Sequence, residues 1–328
     1  MRKLIGFSKG SFVVSMPKSW VEKNHLKKGD LMAINENGCE LVIAPNSAER
    51  KEVAQEVTID ANGKDLERLK CEIVSSYLNN CDTINIVSNN LNDQASKIKE
   101  IIRNLSGLEI MEQTGKRIVA KDLINLNEIS IKNIIRRMDV ITRAMIDDAM
   151  NCAKGYDCCE AIDNRDIDIN RLYFLAKRVI KSGMKNSRIA KALGSDSWKL
   201  HSDKLVLMRI ESIADNQKRI ARYSKYANLS RDAINELKKL HFDIGENYKD
   251  VMKSYYNMDL KLATDIEVLN KERTRLCDKF LEKYANISSV RNSKSRYTEH
   301  VALAKIIENV KAMSTSVKDI ARTTLCYS

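Results

Sequence analysis

The sequence predicts a multidomain α+β chain: a short N-terminal β module, a small α/β sandwich connector, and an all-α C-terminal part built of tandem three-helix bundles. Three observations predict it. The first forty-odd residues alternate apolar runs with turn formers, residues 50–124 switch between strand and helix patterns, and from Ile129 apolar residues recur at helical spacing. Two prolines in 328 residues fit long uninterrupted helices.

Composition narrows the function classes. With 43% apolar and 30% charged residues, the chain reads as soluble and globular rather than disordered. A net charge of +12 implies an acidic partner, and DNA, RNA or an anionic membrane surface all qualify. The eight cysteines lack any C-x-x-C spacing and no basic-then-apolar leader opens the chain, so a cytoplasmic protein with reduced, mostly structural thiols is expected. No apolar run approaches the roughly 18 residues that span a bilayer, so no membrane span is expected.

In residues 1–46, Leu4, Ile5 and Phe7 form one apolar run and Phe12 to Met16 a second, with Ser8-Lys9-Gly10 as the turn between them. Pro17 ends the second strand and sits where a helix can begin, with Trp20, Val21 and Leu26 as its apolar positions. Gly29-Asp30 and Glu36-Asn37-Gly38 then bound two further strands, Leu31 to Ile34 and Glu40 to Ile43. A unit this small cannot hold a core alone, which points to a homodimer with Trp20 as a core anchor. The Met16-Pro-Lys-Ser-Trp20 and Leu26-Lys-Lys-Gly-Asp30 segments resemble those of the SpoVT/AbrB family of swapped-hairpin DNA-binding domains. That resemblance implies an interlaced dimer on DNA, with Arg2, Lys3, Lys9 and Lys18 near phosphates, where Lys and Arg supply most of the attraction.

Pro45-Asn46-Ser47 reads as a linker. Beyond it, strands at 56–60 and 83–87, helices at 66–78 and 94–105, and a hairpin of 108–112 with 116–121 across Thr114-Gly115 predict an open sheet with helices on one face. Gly63, in a loop before a helix, lacks the glycine pattern of a phosphate-binding loop. The expected role of this connector is spacing or dimerisation.

Six helices are predicted, at about 131–153, 160–183, 199–227, 230–256, 258–286 and 296–324, forming three-helix bundles over 129–228 and 229–328. The polar, basic link from Asn286 to Arg296 is the longest connection. Asp166 with Asn170, and Glu211 with Asp215, each stand four residues apart, so each pair presents two oxygen ligands on one helix face. Ordinarily such carboxylates form a solvated face paired with lysines. Here, however, Arg165 to Tyr173 and Arg209 to Ala221 are similar to segments of the PhoU family of phosphate-uptake regulators, in which two acidic stripes face each other and hold a cluster of metal ions.

The resemblance implies a metal site for a divalent or iron-type cation at Asp163, Asp166, Asn170, Glu211 and Asp215 of the first bundle, with Asn170 standing where the family has an aspartate. In the second bundle Lys311, Thr315, Asn270 and Thr274 fall at the matching positions, so metal is expected in the first bundle alone.

The order of the three parts resembles archaeal PhoU-related regulators with an N-terminal AbrB domain. It implies a phosphate-responsive transcriptional regulator, whose dimeric head binds DNA under control of the helical body. The alternative is an adaptor that docks on a phosphate transporter or a signalling kinase without touching DNA. An enzyme is not expected, because His25, His201, His241 and His300 are scattered away from the acidic stripes, whereas helical di-metal enzymes supply Glu-x-x-His pairs.

Overall fold

The computed structural model describes residues 2–37, 39–45, 54–152, 159–227, 229–285 and 293–326. They form two compact units, Met1–Ala54 and Gln55–Ser328.

The first unit consists of two hairpins and a short helix. Strands β1 (Ile5–Ser8) and β2 (Ser11–Val13) pair antiparallel around Gly10, whose φ of +105° is the reason the turn takes a glycine. Helix α1 (Lys18–Lys23) starts directly after Pro17, and Lys27 N–H donates to Asp30 Oδ2 at 2.7 Å in the turn that follows. Strands β3 (Met32–Asn37) and β4 (Glu40–Pro45) form the second antiparallel hairpin, in a sheet of their own. All five predicted elements are present. Yet none of the unit's described residues is fully buried, and Phe7 and Phe12 are 78% and 68% exposed. Trp20 is half-buried within one chain. Of the predicted linker, Pro45 closes β4, while residues 46 and 47 lie outside the described residues.

The second unit begins with an α/β layer. Its sheet has the order β5 (Glu56–Asp60), β6 (Thr83–Val87), β8 (Arg117–Asp122), β7 (Leu108–Gln113), with β5 and β6 parallel and the other pairs antiparallel. Helices α2 (Leu66–Leu78) and α3 (Ala95–Arg103) pack on each other and on the sheet, and they bury Leu69, Ile73, Ile98 and Ile102 against Ile84, Ile86 and Ile118. Side chains alternate across a strand, so Asn85 points away from that core. It is buried on the opposite face, between Glu56 and Arg117.

Among the described residues seven helices follow: α4 (Ile131–Ala149), α5 (Cys159–Lys185), α6 (Ser187–Ala192), α7 (Ser197–Ser224), α8 (Arg231–Asn257), α9 (Leu260–Ala285) and α10 (Ser293–Cys326). Side-chain caps set several starts, with Ser130, Asp196 and Ser230 each accepting a bond from the backbone N–H three residues on. The predicted link at 286–296 is partly helix, since α10 already begins at Ser293, and residues 286–292 lie outside the described residues.

Helices α4, α5 and α7 pack together, as do α8, α9 and α10. They do not keep separate cores. Helix α7 lies along α10, and one apolar cluster runs through both sets, from Ile134 and Val179 through Ile210 and Ile213 to Met313 and Ile320. Cys152 is disulfide-bonded, which corrects the expectation of reduced thiols at that position. No helix among the described residues is long and apolar enough to cross a membrane.

The α/β layer is fastened to α5 by a buried ion pair. Arg178, 1% exposed, donates to Asp122 at the end of β8 and to Asn80 Oδ1 at 2.8 Å, while its guanidinium carbon lies 4.7 Å from the centre of the Tyr77 ring. Asn80 in turn donates to Ser182 Oγ at 2.7 Å. Removing one partner of such a pair leaves the other charge buried without compensation. Arg178→Met is therefore expected to lower stability by about 3–5 kcal/mol in urea unfolding of the full chain, and Arg178→Met with Asp122→Asn to recover most of that loss. Equal loss in the single and double variants would contradict a charge-compensation role.

Candidate functional site

Two groups of predicted residues can be located. In the first unit Arg2 Nη1 donates to Ser15 Oγ at 2.9 Å, which holds the start of the chain beside the end of β2, just ahead of Lys18 at the first position of α1. Lys18 lies 3.7 Å from Glu22 with both groups exposed, a weak pairing that a phosphate can displace. Lys3 and Lys9 are exposed. Lys9 occupies the β1–β2 turn, about 20 Å along the strand from Lys3 at 3.3 Å per residue, so the four cations divide between the two ends of one hairpin.

The acidic stripes lie where α5 packs antiparallel on α7. Cys159 sits opposite the Ala221 carbonyl, Asp166 opposite Lys218, and Tyr173 within the field of Glu211. This register offsets the carboxylates. Asp166 is buried and its Oδ2 accepts from Lys218 Nζ at 2.5 Å and from Asn170 Nδ2 at 3.2 Å, while exposed Asp163 stands 4.0 Å from the same ammonium. Asp215 takes a hydrogen bond from Arg219 at 2.9 Å. Glu211, half-buried two turns from Asp166, has no ion-pair or hydrogen-bond partner among the described residues, and burial followed by the charges of Asp215 and Asp166 pushes its carboxyl up to about 7 against the opposing pull of Lys177.

These donors do not fit a metal centre as they stand. Among the described residues no three His, Cys, Asp or Glu side chains converge on a point that could hold an ion. Lys218 already supplies the positive charge that a cation would bring to Asp166, and Asp215 is paired with Arg219, so these carboxylates are matched by basic side chains of α7. The matching positions of the last helices also lack a carboxylate cluster: Lys311 pairs with Asp278 at 2.7 Å and Asn270 Oδ1 accepts from Ser314 at 2.9 Å.

No protein-family model matches the chain, and no curated protein matches it.

A buried polar chain of the helical core was not foreseen from the sequence. His241 of α8, 2% exposed, shares a 2.7 Å hydrogen bond through Nε2 with Gln217 Oε1 of α7, whose amide lies 3.1 Å from Met313 Sδ of α10. Burial lowers the imidazole pKa to about 4, so the ring is neutral near pH 7. The available signal was position, since His241 falls among the apolar positions of its helix between Leu237 and Ile244.

The two shifted groups give pH dependences of opposite sign. Between pH 6.5 and about 4 the unfolded chain binds a proton at His241 that the folded chain does not, so stability falls as pH falls through that window. Between pH 4.5 and about 7 the folded chain holds a proton on Glu211 that the unfolded chain has released, so stability falls as pH rises. His241→Gln is expected to flatten the acid side of the melting-temperature profile, and Glu211→Gln to raise the melting temperature at pH 8 more than at pH 5. Parallel profiles for wild type and both variants would refute these assignments.

Proposed function

We propose that the chain is a DNA-binding transcriptional regulator that acts as a homodimer through its first unit. The observation that carries this reading is a two-hairpin unit with exposed Leu4, Phe7, Phe12, Leu31 and Leu41, no fully buried residue among those described, and exposed cations at both ends of one hairpin. Apolar side chains in that number need cover, and a second copy supplies it with self-complementary surfaces. A two-fold head then presents each cation twice, which suits a roughly palindromic DNA site bound largely through phosphates. The net charge of +12 supports a polyanionic partner. The phosphate-responsive role rests on the resemblance of the helical segments to PhoU proteins, and a metal is not part of the proposal because the acidic stripe does not fit one.

Gel-shift and salt-titration measurements on promoter fragments test it. The Arg2, Lys3, Lys9, Lys18 quadruple alanine variant is expected to bind more weakly and with a shallower salt slope, which falls by about 1 for every phosphate left without its cation. Phe7→Asp with Phe12→Asp is expected to shift the sedimentation mass from dimer to monomer. An adaptor that uses its head only to dimerise would show the second effect and be indifferent to DNA in every form.

A further inference from the structure

One cleft of the second unit is walled by lysines and hydrocarbon. Lys177, Lys181 and Lys185 stand four residues apart on α5, so their ammonium groups follow one another on one helix face at steps of about 6 Å. Lys204 faces them from α7, and Leu78 at the end of α2, Ile180 and Met184 complete a cavity of about 340 Å³. That volume suits a small molecule.

None of these four lysines is in an ion pair among the described residues, although Lys177 lies within the field of Glu211. Lys181 donates to the Asn79 amide oxygen at 2.5 Å, Lys177 lies 5.2 Å from the centre of the Tyr173 ring, and neither Lys185 nor Lys204 has a partner among the described residues. The carbonyls ending α5 attract cations in its last turn, which accounts for Lys185 and in part for Lys181. That effect fades within one turn, so it does not reach Lys177, and it does not explain Lys204 on another helix.

We propose that this cleft binds a nucleoside polyphosphate, with the lysines along its phosphate chain and the Leu78 and Met184 wall against the face of its base. A single orthophosphate reaches one or two of these ammonium groups, whereas the α5 lysines extend over about 12 Å, a span that calls for charges in a row. The apolar wall has no use for an inorganic chain and fits the flat, weakly hydrated face of a base. Binding here does not depend on DNA binding by the first unit.

Calorimetric titration of the full chain without DNA, using ATP, inorganic triphosphate and adenosine, tests the proposal. ATP is expected to bind saturably and more tightly than triphosphate, with adenosine not detected. The Lys185→Glu, Lys204→Glu double variant is expected to lose about ten-fold or more in ATP affinity, equivalent to about 1.4 kcal/mol. Met184→Ala is expected to weaken ATP while leaving triphosphate unchanged, and reversal of the exposed α8 lysines by Lys239→Glu with Lys253→Glu to leave ATP affinity unchanged. Absence of saturable ATP binding, equal affinity for ATP and triphosphate, or an equal loss in the α8 control would each overturn it.

Discussion

The antiparallel register of α5 on α7 decides what either acidic or basic stripe can do. Set with Asp166 opposite Lys218, it brings the carboxylates at the start of α5 to an ammonium group rather than to the carboxylates of α7. Glu211 is left two turns away, half-buried and beside Tyr173. At the other end the same register carries Lys177, Lys181 and Lys185 to Lys204, with no ion pair among the described residues to neutralise them. One packing choice thus neutralises the acidic end of the helix pair and concentrates charge at its basic end. Sliding α7 by one turn, about 5.4 Å, would exchange Lys218 for Ala214 opposite Asp166 and abolish both arrangements.

Buried polar groups mark where helices must meet in one way only. Arg178 with Asp122 ties the α/β layer to α5, and His241 with Gln217 ties α8 to α7. Neither is a strong source of stability, because each side chain gives up hydration that its partner only restores. Their effect is selective, since a shifted register would strand a guanidinium or an imidazole without a partner in apolar surroundings. The Lys181 contact with Asn79 sits beside the Arg178 contact with Asn80, so the basic cleft adjoins the fastening of layer to bundle.

Much of this architecture was legible in the sequence. Period-two and period-3.6 patterns located the strands and long helices to within a few residues, because each element's burial is one-sided and its periodicity is local. Pro17, Gly10 and Gly29 marked turns for the same local reason. The six-residue α6 was not anticipated, since a helix of under two turns carries too few positions to show a period. The candidate site was less legible. Spacing on one helix correctly placed Asp166 beside Asn170, but which residue of α7 lay opposite depended on a register that no single helix encodes. The merging of two three-helix sets into one core escaped for the same reason, as did the Lys204 wall of the cleft.

The first unit follows a different logic, in which the missing part of the fold is the informative one. Two hairpins and a six-residue helix cannot enclose a core, so Leu4, Phe7, Phe12, Leu31 and Leu41 remain exposed however well the backbone hydrogen bonds are made. At about 25 cal/mol per Å² of apolar surface, covering several such side chains is worth several kcal/mol, comparable to the whole stability of a small domain. A surface with so much to gain from cover favours assembly over solitary folding. Two-fold pairing is the simplest way to provide it, and pairing sets Arg2, Lys3, Lys9 and Lys18 against their symmetry mates at fixed separations. Fixed, repeated cations suit a polyanion that itself repeats, which is why the proposed pairing and the proposed DNA partner support each other.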